Sequence, residues 1–181
     1  MTGTSVAHCP TSNARLGAGI APVRQLLRAG VPVGLGVDGS ASSEGTTLAG
    51  ELHQALLIAR VRDQDGPAAL TARQALWIGT RGGAACLGRA DEIGALRPGT
   101  LADVALWRVD TLAHDAMAYD AGPSGPDGDP VAALVLGPPA PLELLLVGGT
   151  PVVERGELRT IDMTAATREV RAARRRLEPG T

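Results

Sequence analysis

Three stretches of this chain hold residue types that can do chemistry at useful positions. The first is Asp38, which follows the apolar run 31–37 and is followed by Gly39 and Ser40. A carboxylate at the C-terminal end of a buried parallel strand sits where α/β barrels and open sheets place their reactive groups. There it can ligate a metal, or take a proton from a metal-bound water. The competing reading is a plain Asp-Gly turn. The second stretch is His8–Cys9, at the matching end of the preceding strand. His8 can ligate a metal, bond a substrate, or be a satisfied core histidine. Adjacent strand residues point to opposite faces, so the pair is not a zinc signature. The third is Asn13 and Arg15 in the segment that follows. Their side chains can read the edge of a heteroaromatic ring or simply cap a loop. His53, in a helix, and His114, in a linker, read as surface residues. Gly34-Leu35-Gly36 lies before its strand's end rather than after it, which argues against a dinucleotide fingerprint.

The elements that must position these residues follow from period and punctuation. Residues 4–9 read as a strand ended by Pro10, with 11–13 in a loop. Residues 21–29 read as a helix with Pro22 in its first turn, Val23, Leu26 and Leu27 on one face and Gly30 at its end. The run 31–37 suits a strand covered on both faces. The 30-residue step from His8 to Asp38 is that of one βαβ unit, so the two strands pair in parallel. Two parallel strands need the rest of a covered sheet. Downstream, 47–62 is a helix with Leu48, Leu52, Ala55, Leu56 and Ala59 on one stripe. A Thr71/Gln74 capping box opens a helix over 71–79, and a third, small-residue helix over 80–87 stops at Gly88. After Gly94 the texture changes. A strand over 101–107 precedes a Gly/Pro/Asp-rich loop at 120–130. Short strands then follow at 131–136, 142–147, 150–154 and 157–161. The last element is a helix over 163–177, with Val170, Ala173 and Leu177 inward and Arg174-Arg175-Arg176 in solvent. The expected division is 1–93, a β-rich domain over 94–162, and a helix and tail over 163–181.

Composition narrows the function. At 181 residues the chain is shorter than the roughly 250 of a complete (β/α)8 barrel. Seventeen basic residues, all arginine, face nineteen acidic ones for a net charge of −2, which is no nucleic-acid footprint. Trp77, Trp107 and Tyr119 are the sole aromatics, so there is no base-stacking platform. Neither a secretory h-region nor an apolar run of about 18 residues is visible. With two cysteines and no disulfide spacing, a cytoplasmic setting without membrane or nucleic-acid partners is expected.

Residues 6–23, Val-Ala-His-Cys-Pro-Thr-Ser-Asn-Ala-Arg-Leu-Gly-Ala-Gly-Ile-Ala-Pro-Val, resemble the seventh strand and following loop of the metal-dependent amidohydrolase superfamily. Residues 34–42, Gly-Leu-Gly-Val-Asp-Gly-Ser-Ala-Ser, resemble its eighth strand. Residues 75–84 and 94–103 look like the later helices and the return into its small β domain. Together with 129–135, the Val-Asp-Gly-Ser-Ala-Ser run resembles the 8-oxoguanine deaminase and hydroxyatrazine ethylaminohydrolase branch. The resemblance implies an α/β fold: the C-terminal fragment of a (β/α)8 barrel plus part of a small β-sandwich. It also implies one Zn²⁺, alternatively Fe²⁺, held by a His-x-His pair, a further His and the eighth-strand Asp. Asp38 then becomes the catalytic residue and metal ligand, while His8, Asn13 and Ser40 become substrate-binding. The histidine ligands are absent from this chain, and Ser43-Glu44 stands where the branch has Asn-Asp. The implied activity is hydrolytic deamination of a purine-like ring, with the isolated chain incomplete and inactive. The alternatives are a hydroxyatrazine-type aminohydrolase, a non-catalytic remnant, or half of a split enzyme. The implied partners are a purine or triazine substrate and either a homo-oligomeric mate or the missing half of the barrel.

Overall fold

The computed structural model describes residues 3–44, 47–115 and 129–177. They fall into two compact units, Met1–Leu101 with Arg108–Ala140, and Ala102–Trp107 with Pro141–Thr181.

The first unit is built on β1 (Val6–His8) and β2 (Val33–Leu35), with α1 (Pro10–Leu16) and α2 (Val23–Arg28) between them. The strands pair in parallel with Val6 on Val33 and His8 on Leu35, as the βαβ spacing requires. Helix α3 (Leu48–Asp63) and the run α4 (Ala72–Trp77), π-turn (Ile78–Gly82) and α5 (Gly83–Cys86) cover them. The helices expected over 71–79 and 80–87 are thus one uninterrupted run, because no cap breaks the chain between them. Thr71 and Gln74 open that run with the expected reciprocal capping box. The π-turn lays backbone on backbone: a Cβ on Gly82 would sit 2.2 Å from the Val33 carbonyl oxygen. The core comprises Val33, Leu56, Leu70, Ile78 and Val135 among others, all at most 1% exposed.

Three local expectations fail in this unit. Residues 11–13 lie in α1, not in a loop. Pro10 suits a first helical turn because its missing N–H has no partner to lose. The next donor, Thr11 N–H, is taken by the buried Glu51 carboxylate of α3 at 3.1 Å, and Gly17 closes the helix in the left-handed region at φ 64°. Residues 131–136 form no strand but α7 (Pro130–Leu136), in the first unit rather than in a β-rich domain. Asp129 caps it by accepting the Val131 N–H at 2.9 Å, Pro130 sits in its first turn, and Ala132, Ala133 and Val135 are buried. The part of the expected 120–130 loop before Asp129 lies outside the described residues. His114, on α6 (Leu112–Asp115), is 3% exposed rather than on the surface. Its Nε2 donates to the Pro138 carbonyl at 3.2 Å, so its Nδ1 accepts from the Thr111 hydroxyl at 2.7 Å. The half-buried His53 has its Nδ1 2.9 Å from the Val135 carbonyl, tying α3 to α7.

The second unit is one antiparallel sheet in the order β3 (Val104–Trp107), β4 (Leu142–Val147), β5 (Thr150–Glu154), β6 (Glu157–Leu158), followed by α8 (Met163–Leu177). The inward placement of Val170, Ala173 and Leu177 does not hold: no α8 residue is buried, and Val170 and Leu177 are 68% and 83% exposed. Among the described residues no helix is long and apolar enough to cross a membrane.

Candidate active site

The chemistry-bearing residues gather past the C-terminal ends of β1 and β2. Asp38 lies three residues beyond β2, with φ at 62°. This left-handed backbone is uncommon outside glycine, and Asp is among the residues that tolerate it. The turn aims the exposed carboxylate back toward α1. Its Oδ2 accepts from the Ser12 hydroxyl at 2.6 Å and its Oδ1 from the Gly39 N–H at 2.7 Å. The Ser12 bond first, then those from Gly39 and Ser42, hold the Asp38 carboxyl below its ordinary range, and slight desolvation opposes them. Asp38 is therefore an oriented carboxylate at neutral pH.

Cys9 borders this carboxylate. Burial pushes its thiol up, and the charges of Asp38 and Glu51 push it further, so it stays protonated and is no nucleophile. A Cβ on Gly36 would meet the Cys9 sulfur at 2.9 Å, which explains a glycine there. Arg15 pairs with Glu44, linking the end of α1 to the loop after Asp38.

The other residues singled out from the sequence are placed less uniformly. Asn13 is half-buried, one position beyond Ser12 on α1, and Ser40 is exposed in the turn after Asp38. His8 is 3% exposed, and its buried Nδ1 has no hydrogen-bond partner. Burial lowers its basicity, so the imidazole is neutral. Ser12 and Glu51 were not foreseen. The signals for them were Pro10 and Gly17 bracketing a short helix, and an acid set beside the apolar stripe of α3.

A catalytic or structural zinc takes three or four protein ligands. Among the described residues no group of three or more His, Cys, Asp or Glu converges, and Asp38 stands as a single carboxylate. These residues do not by themselves fit a metal.

A parallel strand pair with a carboxylate past its C-terminal end is the arrangement found in α/β barrels, and comparison with known proteins makes the family specific. The amidohydrolase family model matches residues 1–134, and the chain belongs to the amidohydrolase family. It is 40% identical over 171 residues to the 8-oxoguanine deaminase of Pseudomonas aeruginosa, covering 94% of this chain and 35% of that protein. It is 36% identical over 179 residues to the 5-methylthioadenosine/S-adenosylhomocysteine deaminase of Desulforudis audaxviator, covering 97% of this chain and 38% of that one. Among solved structures, the zinc complex of atrazine chlorohydrolase TrzN from Arthrobacter aurescens superposes with a TM-score of 0.81 at 35% identity, over 94% of this chain and 36% of that one. A zinc-bound adenosine deaminase from Xanthomonas campestris reaches a TM-score of 0.84 at 29% identity, over 95% of this chain and 37% of that one. The chain thus spans 35% to 38% of the length of these relatives, and its fold is that part of the amidohydrolase fold.

Proposed function

We propose that this chain supplies the strand-end carboxylate of a metal-dependent hydrolytic deaminase acting on a purine-like ring of the 8-oxoguanine type. The observation that carries this reading is Asp38. It is ionised, held on both oxygens by Ser12 and Gly39, and set at the end of a parallel strand. In this reading water adds to the amino-bearing ring carbon, one of its protons passes through Asp38 to the amino group and the other ends on the ring nitrogen, and the C–N bond breaks so that ammonia leaves as the ring carbonyl forms. Asp38 is also one ligand of a metal, Zn²⁺ or alternatively Fe²⁺, whose histidine ligands lie outside this chain. Asn13 and Ser40, on the two segments flanking Asp38, contact the substrate. His8 joins them by offering its unpartnered nitrogen. The chain alone is inactive. The preference for a purine-like ring rests on the 40% identity to a deaminase of that name.

A second reading, a triazine aminohydrolase of the hydroxyatrazine type, draws on the likeness to TrzN.

The test is a chimera in which this chain replaces the matching third of the Pseudomonas aeruginosa deaminase. Ammonia release from 8-oxoguanine, lost by more than about a hundredfold in the Asp38→Ala chimera, supports the first reading. Turnover of hydroxyatrazine in its place supports the second. Full activity in the Asp38→Ala chimera overturns the role of Asp38, and robust turnover by the unfused chain with zinc overturns its dependence on outside ligands.

A further inference from the structure

Helix α8 is the largest feature that the proposed chemistry does not use. It carries Met163, Ala166, Val170, Ala173 and Leu177 at alternating steps of three and four, the a and d positions of a heptad. Arg168, Arg171 and Arg175 lie on the opposite side. No residue of the helix is buried, and Met163, Val170 and Leu177 are 55%, 68% and 83% exposed. A 15-residue helix is marginal by itself, and most of its stability comes from packing an apolar stripe.

We propose that α8 is a self-association element that pairs antiparallel with α8 of a second copy of this chain. Residue sizes along the stripe argue for this pairing. When Val170 is set opposite the partner's Ala173, Ala166 falls opposite the partner's Leu177, and the two-fold axis repeats both layers. Each of the four layers then matches one alanine with one larger residue, which lets the helices approach closely and fill the space between them. A parallel pairing stacks alanine on alanine between layers of Val on Val and Leu on Leu, and leaves voids.

Charge points the same way. The antiparallel register places Glu169 beside the partner's Arg176, twice, at the g positions that flank the seam. Arg174, on the other flank, meets the partner's Thr167 and no like charge. Five arginines against one glutamate give the helix a net charge of +4, so an anionic lipid surface is the rival occupant. The narrow stripe, three of whose five members are two alanines and a valine, suits a helix seam better than the broad apolar face that lipid binding needs. Four layers form a small interface, below about 1,200 Å², so the association belongs to the weak class.

Sedimentation of the full chain over a wide concentration range tests this. The wild-type mass rises toward a dimer with concentration. Val170→Glu, at an exposed position that leaves the fold intact by circular dichroism, stays monomeric. Glu169→Arg weakens the dimer by about tenfold, and adding Arg176→Glu restores it. Four results would each overturn the proposal. One is a mass that stays monomeric throughout, and another is an oligomer that Val170→Glu leaves unchanged. A third is rescue of Glu169→Arg by Arg174→Glu instead, the outcome a parallel pair gives. The last is a monomer whose α8 binds phosphatidylserine vesicles.

Discussion

Leu56 of the helical unit and Leu144 of the sheet unit are the same residue in two different settings. Leu56 is 0% exposed, packed with Val33, Leu70, Ile78 and Val135 between a parallel strand pair and three helices. Leu144 is half-buried in one antiparallel layer, and no described side chain of its unit is fully buried. A sheet must bury one face against another layer to form a core. The helical unit has that second layer. In the sheet unit no described side chain is fully buried, so it relies on its strand ladder and turns. Precise side-chain geometry is held by close packing, and the oriented carboxylate of Asp38 accordingly sits in the unit that has a core.

Truncation reads this contrast most strongly. Leu56→Ala should cost about 3 kcal/mol and Leu144→Ala less than about 1.5 kcal/mol. Denaturant unfolding can follow Trp77 in one unit and Trp107 in the other, and equal costs would break the comparison. Next in size is Gly82→Ala, which forces a methyl against the Val33 carbonyl and should cost about 2 kcal/mol or more, seen by Trp77 alone. The helix caps come third. Asp129 is 2% exposed, caps α7 and pairs with Arg73 at 2.9 Å. Its change to Ala should cost about 1–2 kcal/mol of the helical unit's stability. The exposed Asp162 caps α8 through the Thr164 and Ala165 N–H groups at 2.8 and 3.0 Å. Asp162→Ala should do no more than fray α8, costing less than about 1 kcal/mol and seen only as lost helix signal in circular dichroism.

The smallest effect is a pH dependence confined to the helical unit. His8 has its folded basicity lowered from 6.5, so below that pH the unfolded chain binds a proton that the folded one refuses. Stability from His8 is complete above 6.5 and declines as pH falls toward the lower folded value. Asp38, lowered from 3.8, has the same sign further down: its contribution is present above 3.8 and is lost as pH falls through its folded value. Acid titration should move the Trp77 transition first, and His8→Gln should flatten the slope below pH 6.5. A Trp107 transition that moves equally would show the two units to be coupled.

Much of the helical unit was legible because its signals are local. The strand pair follows from two apolar runs one βαβ step apart, α3 from its stripe, and the start of α4 from Thr71 and Gln74. Residues 131–136 were misread because Val-Ala-Ala-Leu-Val-Leu has no polar alternation, and a buried strand and a buried helix then look alike. Burial against α3 and α4, with Asp129 as cap, decides for the helix. At the site, Asp38 was legible as a strand end. Its orientation was not, because the Ser12 hydroxyl reaches it only if 10–16 is a helix. That helix is capped by Glu51, 40 residues away.

By itself, then, the amino-acid order determined the parallel strand pair, the carboxylate at its end, the glycines and prolines that punctuate the helices, and the family resemblance that the comparisons bear out. All of these are written in residues near one another in the chain. The tertiary structure alone decided that α1 exists, that α7 is a helix, that His8 and His114 are buried, and that Met163, Val170 and Leu177 of α8 stay in solvent. Those outcomes depend on which distant surfaces remain to be covered after the local elements have formed, and spacing along the chain does not record that.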